Sequence, residues 1–285
     1  MLRRLWTTEF LEPSGESALA AAESVSWRIF KNPVTVFIGG VAAVLIELAE
    51  PAVRSGVWEH TGFRRDPVRR LERTGLAAMV TVYGARSVAE RMIAGVVALH
   101  GRVAGTTPAG EPYRANDPRL LTWVQATAAF GFIEAYQRYA QPLTPAEIDR
   151  AYAEGAPAAA LYGALAAPRS DAELRGLFEA TGPRLEASPI VFEFLAILRA
   201  APIVPAPLRP VQRLLIRAAI EIVPDWLRKR LGLGDACGLR GWERRLVRLL
   251  GAAADRVVLP GSPAVQSCRR LGLPAGYLYR RRRTG

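Results

Sequence analysis

The sequence is poor in the residues that build most metal and nucleophile sites. It has two cysteines, Cys237 and Cys268, and two histidines, His60 and His100. Two cysteines exclude a disulfide framework and a cysteine-rich zinc site, and two histidines exclude any site made of three imidazoles. The cysteines could form one bridge or remain buried thiols, and we favour buried thiols.

Lysine is also scarce, although the chain is strongly basic. Lysine and arginine total 38 against 26 acidic residues, which gives a net charge of +12, yet the only lysines are Lys31 and Lys229. The arginines are spread along the chain, apart from the run Arg280–Arg283, and no recognition motif accompanies them. We therefore predict no nucleic-acid binding.

Long hydrophobic runs are absent as well. The longest, Val34–Ile46, ends at Glu47 and is shorter than the roughly 20 residues that a membrane helix needs. The basic start Met1–Trp6 is followed by the polar segment Glu9–Glu16, where a secretory signal would be apolar. We predict no membrane span and a cytoplasmic protein.

Helix-start signals recur along the chain. An N-cap residue precedes a proline four times, at Asp66-Pro67, Asp117-Pro118, Thr144-Pro145 and Ser188-Pro189. Half of the residues are hydrophobic, and convincing period-two strands are absent. The sequence predicts an all-α chain with helices at about 17–31, 35–50, 66–83, 86–104, 117–140, 144–166, 171–180, 188–200, 208–221 and 240–255. We divide it into an N-terminal extension (1–34), a helical domain (35–231) and a C-terminal helix with a basic tail packed on that domain (232–285).

His100 is the first candidate site residue. Met92, Val96 and Val103 share its helix face, and a neutral imidazole on an apolar face is suited to bind haem iron. We expect its second ring nitrogen to donate to a carbonyl, carboxylate or amide. The alternative is a core or helix-terminal histidine.

Three polar residues on the preceding helix form a second candidate group. Arg70, Arg73 and Thr74 are spaced i, i+3 and i+4, so they share a face. They could hold propionates, polarise dioxygen or orient a substrate. Alternatively they form a solvated face that pairs with Asp66 or Glu72.

Two carboxylates follow the most apolar helix. Glu47 and Glu50 lie just before Pro51, and a carboxylate beside apolar surface can acquire the raised pKa of a general base. For Glu50 we weigh this role equally with exposure at the helix end. For Glu47 we favour solvent or a salt bridge.

An ordered set of short motifs resembles the MpaB-type oxygenase family, which includes the catalytic domain of the latex-clearing rubber oxygenases. The likeness covers about residues 35–231. Its motifs are Ala49-Glu50-Pro51, Gly56-Val57-Trp58-Glu59-His60-Thr61-Gly62-Phe63, Asp66-Pro67, Arg70-x-x-Arg73-Thr74, Tyr83-Gly84, His100-x-x-Val103-x-Gly105, Tyr113-x-x-x-Asp117-Pro118 and Leu121-x-Trp123-Val124-Gln125-Ala126.

This resemblance implies a single, globin-reminiscent helical domain that holds haem b and uses dioxygen on a small hydrophobic substrate. It implies that His100 is the proximal iron ligand. It further implies cofactor-binding roles for Arg70, Arg73, Thr74 and Gln125, and catalytic roles for Arg73, Thr74 and Glu50. Gln125 occupies the position of histidine in the family's W-V-H-A motif.

Two alternatives remain at this point. A non-catalytic haem or hydrophobic-ligand carrier would keep the fold without the chemistry, and the substitutions at Arg73 and Gln125 favour it. A non-haem iron site from His60, His100 and Glu50 would have the required two histidines and a carboxylate.

Overall fold

The computed structural model describes residues 10–280. The first nine residues of the expected N-terminal extension and the end of the arginine-rich tail, residues 281–285, lie outside this range. About 67% of the chain is helical, which confirms the predicted all-α class. The helices of the described residues are α1 (Val25–Phe30), α2 (Pro33–Glu47), α3 (Pro51–His60), α4 (Pro67–Tyr83), α5 (Arg86–His100), α6 (Pro118–Tyr139), α7 (Pro145–Tyr162), α8 (Asp171–Thr181), α9 (Pro189–Ala200), α10 (Arg209–Ile222), α11 (Asp225–Arg230), α12 (Gly241–Ala254) and α13 (Pro263–Arg270).

The four predicted proline-based helix starts are confirmed. In each case the side chain of the N-cap residue accepts a hydrogen bond from a backbone N–H of the first turn, and the proline occupies the first helical position. The proline has no N–H to satisfy there, and its fixed φ already suits a helix. These caps set the first residues of α4, α6, α7 and α9.

Four predicted helix boundaries are wrong. The helices expected over 86–104 and 144–166 end at His100 and Tyr162, so Val103 lies beyond the helix face of His100. The helix expected over 17–31 is reduced to α1, because residues before Ser24 bind other elements: the Glu16 carboxylate accepts from Ser87 N, and Ser17 O accepts from Arg86 N. The helix expected over 35–50 ends at Glu47. A new helix, α3, then starts at Pro51 and is bent 113° from α2.

A small β-hairpin was not foreseen by the sequence prediction. Strands β1 (Ala104–Thr106) and β2 (Pro112–Arg114) pair antiparallel, and Gly105 lies opposite Tyr113. Gly110 supplies the positive φ of +85° in the connecting turn. Strands of three residues are too short to show a period-two pattern, so they cannot be recognised from hydrophobic periodicity.

The centre of the fold is the close crossing of α2 and α6. A β-carbon on Gly39 would lie 2.7 Å from the carbonyl oxygen of Gly131, so the two backbones touch there. A second contact joins Glu47 to Thr127, which shows that the helices run in opposite directions. Helices α9, α10 and α12 complete this main core.

A second apolar cluster lies apart from the main core. It combines α4 and α5 with α13 and the segment before α1, through Phe10, Trp27, Tyr83, Ala89 and Cys268. Helices α4 and α5 pack against each other, but within residues 10–280 neither packs extensively against α2 or α6. Val68 and Leu71 of α4 nonetheless pack against the main core, so the α4–α5 pair lies along its edge.

The structure also shows the state of the two cysteines and whether any helix could cross a membrane. Both cysteines are free thiols; Cys268 is buried and Cys237 is partly exposed. Within residues 10–280 no single helix has the length and apolarity to cross a bilayer, whereas the bent pair α2 and α3 passes that test when taken together.

Candidate functional site

His100 is the last residue of α5. It is half-buried, and its Nδ1 is a buried atom with no hydrogen-bond partner in the described chain. Within residues 10–280 neither ring nitrogen of His100 forms a hydrogen bond, so the hydrogen bond expected from its second nitrogen is not present. An unpaired buried ring nitrogen costs free energy, so it marks a position suited to an additional ligand.

The charge state of His100 is set by its surroundings. Burial lowers its pKa below the usual 6.5, and the positive charge of Arg70 lowers the pKa further. The imidazole is therefore neutral at pH 7. A neutral imidazole is the form that binds a metal ion.

Arg70 connects the candidate residues of α4. Its guanidinium donates to the Thr74 hydroxyl, which in turn donates to the Arg70 carbonyl at 2.9 Å. Arg73 and Thr74 are exposed, whereas Arg70 is half-buried. The structure thus brings Arg70 and Thr74 together. Of the three candidate residues on α4, only Arg70 also lowers the pKa of both Glu47 and His100 through its charge.

Glu47 is the carboxylate that faces Arg70. The sequence interpretation favoured solvent or a salt bridge for this residue, and its side chain is instead half-buried at the end of α2, beside the Thr127 hydroxyl. Burial raises the pKa of Glu47 to about 7, against the opposing effects of the Arg70 charge and the Thr127 hydroxyl. Glu47 Oε1 lies 3.4 Å from Thr127 Oγ1. A carboxyl group with this pKa can take up or release a proton near neutral pH.

Glu50 has different neighbours. It is fully buried and caps α3 by accepting from Val53 N at 2.9 Å. The same carboxylate accepts from Arg119 Nη1 at 2.9 Å and lies 3.7 Å from Arg184. The structure places Glu50 in an ion-paired cap of α3, and its catalytic role stays a prediction.

Gln125 and Thr127 lie on α6; Gln125 belongs to the family-like motif, and Thr127 follows it. The Gln125 side chain is half-buried and forms no hydrogen bond within residues 10–280. Thr127 is fully buried, and its hydroxyl lies 2.9 Å from the Val124 carbonyl. Sequence reasoning missed Thr127, although a hydroxyl one turn beyond Trp123 on an apolar helix is a usable signal.

Two glycines near these residues have space for a side chain. A β-carbon added at the half-buried Gly75, next to Thr74, would meet no atom within 4 Å, and the same holds at the exposed Gly95 on α5. Val96, one turn before His100, is partly buried.

The non-haem iron alternative is wrong for this chain. No group of three or more histidine, cysteine or carboxylate side chains in residues 10–280 could hold a metal ion. His60 is exposed at the last residue of α3 and Glu50 caps its first turn. Ten helical residues separate them by roughly 15 Å, so they cannot share one ion.

Comparison with protein-family profiles gives one match, to the family described as ER-bound oxygenase mpaB/B'/Rubber oxygenase, catalytic domain, over residues 27–256. Searches of curated proteins and of solved structures gave no significant match. The family description supports an enzyme of the oxygenase kind. Because the match covers most of the chain, this protein belongs to the family of MpaB-type and rubber oxygenase catalytic domains.

Proposed function

We propose that this protein is a haem b-dependent oxygenase that acts on a small hydrophobic molecule in the cytoplasm, within a biosynthetic pathway. The observation that carries the proposal is His100: a half-buried, neutral imidazole with a buried, unpaired nitrogen, within reach of the Arg70 charge. A single imidazole would suffice to hold haem, because the porphyrin itself would supply the remaining nitrogen ligands of the iron.

In this proposal His100 holds the iron, and Arg70 pairs with an acidic substituent of the cofactor. Arg73, Thr74 and Gln125 contribute further polar contacts around it. When bound, haem supplies the activation of dioxygen. Val96, partly buried one turn before His100, helps to exclude water and to orient a hydrophobic substrate.

Glu47 supplies the proton chemistry. With a pKa of about 7, its carboxyl group exists in both protonation states at neutral pH and can exchange a proton at Oε1 or Oε2. Arg70 stabilises the ionised form, and Thr127 orients the carboxylate. Glu50 is the second candidate for this role, from the family resemblance.

The ultraviolet-visible spectrum of the purified protein, loaded with haem, tests the cofactor. We expect a Soret band that His100→Ala shifts or abolishes and that His60→Ala leaves unchanged. No Soret band in the loaded protein, or loss of the band only in the His60 variant, would overturn the assignment. Dioxygen consumption with hydrophobic test substrates then separates an oxygenase from a haem carrier, which would bind haem without turnover.

A further inference from the structure

Helix α12 carries an apolar stripe on its solvent side. Trp242, Leu246 and Leu249 are 61%, 38% and 68% exposed, and their i, i+4, i+7 spacing places them on one face. The opposite face, with Val247 and Gly251, is buried against the core. A surface helix normally presents polar residues to water, so folding of this chain leaves the outer stripe without a partner.

The stripe is a fixed surface. A β-carbon on Gly251 would collide with the backbone carbonyl of Tyr139, which shows that α12 lies directly against α6. At its other end Asp255 caps α12 and binds the buried Lys31 ammonium at 3.0 Å. The exposed apolar side chains are therefore presented by a helix that is anchored at its inner face and at its C-terminal end.

Positive charge borders the stripe. Arg245 and Arg248 are exposed beside it, and Arg248 forms no ion pair within residues 10–280. Arg248 also lines a cavity of about 440 Å³. The other charged side chains of this cavity are Arg138, Arg228, Arg244, Glu221, Asp225 and Asp235.

We propose that the outer face of α12 docks on an anionic lipid bilayer. Trp242, Leu246 and Leu249 enter the headgroup region, and Arg245 and Arg248 contact lipid phosphates. Tryptophan suits this position because its ring is apolar and its N–H is polar. The net charge of +12 attracts the protein to such a surface over a longer range.

A second copy of the chain is a poorer occupant of this surface. Pairing two α12 faces would bring Arg245 and Arg248 of both copies together, between two molecules that each carry +12. An anionic bilayer instead complements both the apolar stripe and its basic border. The proposal is independent of the cofactor and of turnover.

Co-sedimentation of the full-length protein with vesicles tests this proposal. We expect binding to vesicles of phosphatidylcholine with phosphatidylglycerol, and much weaker binding to phosphatidylcholine alone. Leu249→Ser and Trp242→Ser each lower the partition coefficient about tenfold, because each removes one large apolar side chain from the contact. Leu165→Ser is the matched control, since Leu165 is 77% exposed and lies outside α12.

Two results would overturn the proposal. If Leu249→Ser and Leu165→Ser bind anionic vesicles as well as the wild type does, net charge alone explains binding. If light scattering shows a wild-type dimer that Leu249→Ser converts to a monomer, the stripe is an interface between copies of this chain. Circular dichroism of each variant establishes that the fold is retained.

Discussion

Gly39 and Gly131 bring α2 and α6 into backbone contact, since a β-carbon on Gly39 would lie 2.7 Å from the Gly131 carbonyl oxygen. The same helix pair holds Glu47 beside Thr127, two turns along α2 from Gly39. The two glycines therefore set the distance between the carboxylate of the candidate site and the helix that carries Gln125.

Gly131→Ala is expected to destabilise the fold. The new β-carbon would collide with the backbone of Gly39, and backbone atoms cannot move aside as a flexible side chain can. Overpacking of this kind costs about 1–3 kcal/mol, which urea denaturation measures. Gly176→Ala in α8 is the control: its β-carbon meets nothing within 4 Å, so the change should stabilise the helix by up to about 1 kcal/mol. Equal effects of the two substitutions would contradict the close crossing.

Glu47→Gln is expected to change how stability depends on pH. The pKa of Glu47 is raised to about 7 in the folded chain, from the ordinary 4.5. Between these values the folded state holds the proton more tightly, so the stability of the wild type falls as pH rises. The stabilisation that comes from the proton bound to Glu47 is complete below pH 4.5 and is lost as the pH rises through 7.

The measurement is the free energy of unfolding of wild type and Glu47→Gln from pH 4.5 to 8. Because glutamine does not titrate, the variant should gain up to about 3 kcal/mol relative to the wild type across this range. Any constant cost of the substitution cancels in the comparison between pH values. Parallel curves for the two proteins would show that Glu47 titrates normally.

Arg70→Gln is expected to raise the pKa of both His100 and Glu47. The guanidinium charge lowers each of these pKa values, because it disfavours the imidazolium and favours the carboxylate. NMR titration of the histidine ring protons gives the first shift, and His60 is an internal reference, exposed at the end of α3. Arg73→Gln is the matched control. If Arg73→Gln raises the pKa of His100 as far as Arg70→Gln does, the shift reflects the general positive charge of α4 and not the position of Arg70.

Lys31→Met is expected to destabilise the protein by about 3–5 kcal/mol, because it leaves the Asp255 carboxylate buried without its charge partner. Lys31 Nζ lies 3.0 Å from Asp255 Oδ2, and both side chains are almost fully buried. Urea denaturation of Lys31→Met, Asp255→Asn and the double variant measures the coupling. The double variant should recover a large part of the loss, whereas simple addition of the two single effects would show that the charges do not interact.

The amino-acid sequence by itself determined the helical class and several helix starts. Asp66, Asp117, Thr144 and Ser188 each cap a helix whose first residue is proline. Both effects act within one turn, so no distant residue is needed to predict them. The family resemblance also rests on motifs that can be read directly from the chain. The lengths of α1 and α2 could not be predicted in this way, because contacts from α5 and the start of α3 decide where these helices begin and end.

Only the tertiary structure decided which carboxylate faces Arg70. Glu47 and Glu50 are three residues apart in one apolar context, and the sequence interpretation considered a raised pKa more readily for Glu50 than for Glu47. The bend of 113° at Pro51 turns Glu50 toward Arg119, while Glu47 remains on α2 beside Thr127. The raised pKa of Glu47 depends on this burial, because desolvation is set by which helices cover a residue and not by its neighbours in the chain.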